Sequence, residues 1–165
     1  MAGIPLLAFT ERRHPLTSLV LWLLFLHGLV LLVGAHYTYA KVPIGDWAAQ
    51  TFHFTRNHYD RFAHIVQGFV PALLAREIMI RSTPLRRGAW LGFVVFCIAL
   101  AFSAFYEITE WWTAAISGGA ADAYLGTQGD PFDTQEDMAC AAVGALLAVL
   151  TMSHIHDRSL ARLRR

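Results

Sequence analysis

The chain has 165 residues, 56% of them hydrophobic and only 15% charged, and its mean hydropathy is +0.44. A water-soluble domain carries about 25% charged residues, so this composition describes a membrane protein and excludes intrinsic disorder. Thirteen Lys+Arg against twelve Asp+Glu leave a net charge of +1, so no global basic field exists that could hold a nucleic acid.

Residues Leu16 to Ala35 form the first uninterrupted apolar stretch, long enough to cross a hydrocarbon core of about 30 Å. Arg12 and Arg13 precede it as in a secretory signal, but its apolar region is about twice the length of a signal h-region, so it reads as a retained anchor. The segment Ile44 to Phe54, with Trp47 and Phe52 among polar residues, suits an interfacial stretch. Phe62 to Ala75 and Met138 to Ser153 are short between charges and become adequate spans only if polar residues at one end enter the membrane. Gly88 to Tyr106 is a secure span. The expected fold is therefore all-α: a single integral membrane domain, residues 1–165, built as a bundle of four transmembrane helices at about 16–35, 59–80, 88–110 and 132–154. Cys97 and Cys140 lie inside apolar runs and read as small buried hydrophobes, with neither a disulfide framework nor a thiolate metal motif.

Basic residues sort by segment. Arg12 and Arg13 precede the first span, Lys41, Arg56 and Arg61 lie between the first and second, Arg76, Arg81, Arg86 and Arg87 surround the second connection, and Arg158, Arg162, Arg164 and Arg165 close the chain. The connection from Gly118 to Asp137 has none and carries Asp122, Asp130, Asp133, Glu136 and Asp137. The positive-inside rule then predicts a multi-pass protein of the bacterial cytoplasmic (inner) membrane with both termini cytoplasmic and the acidic connection outside.

On the second span Asp60, His64, Gln67 and Pro71 are spaced 4, 3 and 4, which places them on one helical stripe. A carboxylate one turn from an imidazole can fix its tautomer, as a proton relay or a metal ligand requires. Pro71 leaves the carbonyl of Gln67 without its helical donor. Glu77 points away from that stripe, and Arg76 and Arg81 beside it suggest a local ion pair. On the third span Glu107 and Glu110 share a face with Ser103, beside an aromatic belt of Trp111 and Trp112. Asp130 followed by Pro131 reads as an N-cap and first helical residue of the fourth span. That register puts Asp133, Asp137, Cys140 and Gly144 on one stripe, small residues below carboxylates, as close helix packing prefers. His53 and His58 sit in a connection and carry little weight, while His154 and His156 lie at the opposite end of the bundle.

The segments His36 to Pro43, Arg56-Asn57-His58-Tyr59-Asp60-Arg61-Phe62-Ala63-His64, Tyr106-Glu107-Ile108-Thr109-Glu110-Trp111 and Leu125 to Met138 together resemble the YjdF-like family of bacterial inner-membrane proteins. The resemblance covers most of the chain from about His36 to Ala148. The order Asp-Arg-x-x-His, a Glu late on a span, then Asp-x-x-x-Asp also looks, more loosely, like the VanZ-like group of small membrane proteins. That likeness implies Asp60, His64, Glu107, Asp133 and Asp137 as polar positions of the family type, the same residues that the stripes select.

Stripes from three spans thus converge at one face into a cluster of one imidazole and several carboxylates. Such ligation suits Mg²⁺, Ca²⁺ or Mn²⁺, and the imidazole also permits Zn²⁺. The candidate ligands of a divalent metal are His64, Glu107, Asp133 and Asp137; the candidate catalytic residues are Asp60, His64 and Glu107; and Arg61, Gln67, Glu110 and Asp130 are candidates for binding a lipid or lipid-linked headgroup. Three readings stay open: a membrane enzyme acting on such a headgroup, a small proton- or cation-coupled transporter, and a non-catalytic lipid-binding protein. No nucleophile elbow, zincin motif or phosphate-cradling loop decides for the first. Membrane lipids are the expected partners, with self-association left open.

Overall fold

The structure is a computed structural model and describes residues 15–117 and 128–163. Arg12, Arg13, Arg164, Arg165 and the loop from Gly118 with Asp122 lie outside the described residues. Helix α1 spans Ser18–Tyr37. A 3-10 turn, Tyr39–Lys41, leads into α2, Pro43–Phe52, and α3 follows at Tyr59–Ser82. Helix α4 spans Ala89–Ser117. Helix α5, Asp133–Leu147, passes through a π-helical segment, Ala148–Met152, into α6, Ser153–Leu163. Four helical stretches are long and apolar enough to cross a membrane: α1, α3, α4 and the continuous α5–π–α6. No strand occurs among the described residues.

Each span follows from its composition, and the differences from expectation have local causes. Thr17 caps α1, its hydroxyl accepting from the amide of Val20. Helix α2 begins with Pro43, whose missing amide costs nothing at a first helical position, and its exposed Ile44, Trp47 and Phe52 give the interfacial character expected of this stretch. The fourth span starts at Asp133 rather than at Pro131. Oδ1 of Asp130 accepts from the amide of Phe132 at 2.9 Å in a local turn just before the helix. The third span continues to Ser117, and the fourth outruns its apolar segment because the polar residues 153–163 continue as an amphipathic helix with His156 and Leu160 buried. Cys97 is exposed and Cys140 half-buried, so neither is the buried core residue expected; Cys97 lies on the outer face of the bundle.

Helix α3 is the hub. Just over half of its spanning window is buried, 56%, against 17% for α1. It crosses α5 backbone to backbone: a Cβ on Gly68 would overlap the carbonyl of Ala141, and one on Gly144 would overlap the carbonyl of Ile65. Without a hydrophobic drive between helices in lipid, such close approach supplies the dispersion contact that holds spans together. The crossing lies one turn below His64 on α3 and one turn below Asp137 on α5, and it brings those two side chains face to face. Beyond it a dry layer of Val20, Leu73, Leu91, Val95, Ala99 and Ala145 fills the middle of the bundle.

Candidate functional site

Above the dry layer, polar side chains from α3, α4 and α5 meet. His64 is 2% exposed, and its Nε2 stands 3.7 Å from Oδ1 of Asp60, 3.6 Å from Oε1 of Glu107 and 3.9 Å from Oδ2 of Asp137. All three distances exceed a hydrogen bond, so Asp60 does not fix the His64 tautomer by direct contact as its spacing suggested. Ligand atoms of Asp60, His64 and Asp137 all lie within 4.8 Å of one another. Tyr106 packs its ring edge-on to His64 with centroids 5.9 Å apart.

The site is also short of hydrogen bonds. Nδ1 of His64, Nε2 of Gln67, Oγ of Ser103, Oε1 of Glu107 and Oδ2 of Asp137 are all buried without a partner. Gln67 and Ser103, 3% and 0% exposed, sit one turn deeper than His64 and Glu107 on their helices and form the floor. Leaving a polar group buried and unpaired costs about 1–3 kcal/mol, and five in one place mark a position that a ligand, ion or water completes. Ligand atoms arranged tetrahedrally around Zn²⁺ at about 2.0–2.2 Å are about 3.3–3.6 Å apart. The three separations from His64 are at most a few tenths of an ångström longer than that, and the Asp60 and Asp137 ligand atoms lie within 4.8 Å of each other. Asp60, His64 and Asp137 form the group that could hold a metal ion, and Glu107 stands beside His64.

A ring of arginine–carboxylate pairs closes the rim. Arg61 donates through Nη1 to Oδ1 of Asp137, which holds that carboxylate and turns its other oxygen to His64. Such an outer partner is what orients a metal-binding carboxylate. Arg61 Nη2 reaches Glu136 at 2.8 Å, Asp133 at 2.9 Å and Asp130 at 3.2 Å. Arg56 bonds Asp130 at 2.8 Å and Asp133 at 3.0 Å. Asp133, expected among the metal ligands, is thus engaged by two guanidinium groups and lies outside the cluster about His64. Of the headgroup candidates, Arg61 and Asp130 are engaged in this rim, Gln67 lines the floor, and Glu110 is half-buried on α4 one turn beyond Glu107.

Arg56 and Asn57 were not singled out by the sequence reading. Asn57 donates to the carbonyl of Val42 at 3.0 Å and to Asp46 at 2.7 Å, and accepts from the amide of Tyr59 at 3.0 Å. Gln128 brackets its backbone, donating to the carbonyl at 2.9 Å and accepting from the amide at 3.2 Å. Asn57 therefore ties α2, the start of α3 and the approach to α5 together above the site. Two arginines beside an acidic connection were the available signal for Arg56. His58, next in sequence, is held below its ordinary pKa by partial burial first and then by Arg56 and Arg61, so the positive charge of the rim comes from the arginines.

The opposite end of the bundle holds a second buried polar group. Glu77, 0% exposed, accepts from the amide of Thr17 at 2.8 Å and from its hydroxyl at 2.6 Å. It also accepts from Arg81 at 3.0 Å and from Nε2 of His156 at 3.0 Å. Nδ1 of His156 faces Arg76 Nη1 at 3.0 Å; a guanidinium only donates, so the imidazole hydrogen sits on Nε2 and points at Glu77. The expected Glu77–Arg81 pair is made, whereas Arg76 pairs with Asp157 at 2.8 Å and not with Glu77. His156 belongs to this network, away from the carboxylate site, as its position in the chain implied.

Fold and site together define a four-span membrane protein with a buried carboxylate–imidazole cluster at one end of the bundle. Residues 1–158 match the family described as "Predicted membrane protein (DUF2238)", and the chain belongs to that family. It is 50% identical over 159 residues to the inner membrane protein YjdF of Escherichia coli (strain K12), an alignment covering 96% of this chain and 76% of the relative. No solved structure matches. The YjdF-like resemblance is thereby shown, and the chain is a multi-pass membrane protein related to one of the inner membrane.

Proposed function

We propose that this protein binds a divalent cation through His64, Asp60, Glu107 and Asp137 and uses it to hold the phosphate of a lipid or lipid-linked headgroup. The observation that carries the reading is the ring of carboxylate oxygens at 3.6–3.9 Å around His64 Nε2, two of them without a hydrogen-bond donor. Three carboxylates this close repel one another, and a divalent cation supplies the missing counter-charge while using the unpaired lone pairs. A bound cation would polarise a phosphoryl oxygen. Gln67 and Ser103 offer neutral donors beneath it, while Arg56 and Arg61 are held by the rim carboxylates and Arg61 positions Asp137.

Transport is the weaker reading because of what lies beneath the site. A path to the other end would cross Leu73, Val95, Ala99 and Ala145, all at most 1% exposed and none offering a polar atom. The test is binding of a short-chain phosphatidate to detergent-purified protein with added Zn²⁺ or Mg²⁺ and, separately, with chelator. Cation-dependent binding that disappears in His64→Ala supports the reading. Binding that is unaffected by chelator and by that substitution overturns it.

A further inference from the structure

A groove of about 670 Å³ lies at the end of the bundle away from the carboxylate site, between the start of α4 and the stretch from Leu146 through the π-helical segment to Asp157. Gly92, Phe96, Val149 and Leu150 line its apolar length, and Arg76, Arg87 and Asp157 lie at its polar end. We propose that it is a lipid site that takes one acyl chain of an anionic glycerophospholipid, with the lipid phosphate on Arg87.

Polarity, length and charge all fit that occupant. The groove is polar at one end and apolar along the rest, the same order as a leaflet lipid read from head to tail. Its α4 wall, residues 88–96, rises about 12 Å at 1.5 Å per residue, close to the half-thickness of about 15 Å that one leaflet contributes to the hydrocarbon core. Gly92 lets the two walls approach: a Cβ there would meet Val149 Cγ1 at 3.0 Å, so a larger side chain would crowd the facing wall. The π-helical turn forms part of the facing wall, and such turns recur where a helix is adapted to bind something. Trp90, exposed beside the mouth, suits the headgroup level.

Charge selects the headgroup. Asp157 accepts from both Arg76 at 2.8 Å and Arg87 at 2.9 Å, leaving the mouth one positive charge in excess. Arg87 is half-exposed and commits Nε to Asp157, which leaves the far side of its guanidinium turned to solvent, and Arg86 beside it is exposed. Basic pockets between spans recognise anionic headgroups by this arrangement, whereas a quaternary ammonium would be repelled. This site does not depend on the metal reading, since it shares no residue with the cluster about His64.

The experiment is native mass spectrometry after incubation in an equal mixture of phosphatidylglycerol and phosphatidylcholine. The parent should retain one lipid, with phosphatidylglycerol preferred. Val149→Trp and Gly92→Leu fill the groove and should lower retention about tenfold, the cost of losing roughly two buried methylenes. Arg87→Gln should keep the lipid but lose the preference for phosphatidylglycerol. Equal retention in parent and folded Val149→Trp overturns the proposal, as does a parent without headgroup preference. Should Gly92→Leu fail to fold, Val149→Trp and Arg87→Gln decide alone.

Discussion

At one end of the bundle Glu77 accepts from Thr17, Arg81 and His156, and the imidazole of His156 is paired on both nitrogens. At the other end His64 lies among three carboxylates with Nδ1 unpaired and every carboxylate oxygen beyond hydrogen-bond reach of Nε2. The two groups share their ingredients, a buried imidazole, buried carboxylate and arginine, and differ in whether the hydrogen bonds close. A closed network fixes helices in register and has nothing left to offer a ligand. An open one is retained at a cost in stability, and functional sites are where proteins carry such costs. The contrast is between a closed network about Glu77, which fits a structural role, and an open cluster about His64, which fits the proposed cation site.

The largest effect that would break this contrast concerns Glu77. Glu77→Ala removes the acceptor shared by Thr17, Arg81 and His156, and should destabilise the protein by about 3–5 kcal/mol, the usual cost of breaking a buried pair. Thermal unfolding in detergent reads the loss, and the metal content of whatever remains folded should not change. Next comes the crossing beneath the site. Gly144→Val places its side chain against the carbonyl of Ile65 and should cost about 1–3 kcal/mol or more by overpacking, with cation affinity falling because His64 and Asp137 are pushed apart.

Saturating divalent cation provides a third handle. At a hundred times its dissociation constant it should stabilise the parent by about 2.7 kcal/mol, seen as a rise in Tm that chelator reverses and that His64→Ala abolishes. The smallest effect sharpens the contrast most. Ser103→Ala removes a buried hydroxyl without a partner and should leave stability within about 1 kcal/mol of the parent or raise it. The same kind of truncation at Thr17, whose hydroxyl bonds Glu77 at 2.6 Å, should lower it.

Much of the His64 end was legible in the sequence, because it is built from helical periodicity. Asp60, His64 and Gln67 repeat at one-turn spacing, as do Ser103 and Glu107, and buried polar residues on apolar spans are rare enough to be noticed. The small residues below Asp137 foretold a close crossing, and Gly144 makes it. Contacts between remote segments were not legible. Thr17 and Glu77 are 60 residues apart and Glu77 and His156 are 79 apart, and nothing in either neighbourhood names the other. Asp133 differs for a related reason: its spacing to Asp137 puts it on the same stripe, but it is engaged by Arg56, in the connection before α3, and by Arg61, in the first turn of α3. The start of α5 moved because an aspartate before proline can cap a helix or close a turn, and here Asp130 closes the turn.

Elemental mass spectrometry on chelator-free, detergent-purified protein tests the central contrast most directly, run on the parent beside His64→Ala and His156→Ala. The account predicts near-stoichiometric divalent metal in the parent and in folded His156→Ala, and its loss in folded His64→Ala. Metal at background in the parent, or equal metal in both variants, would contradict it.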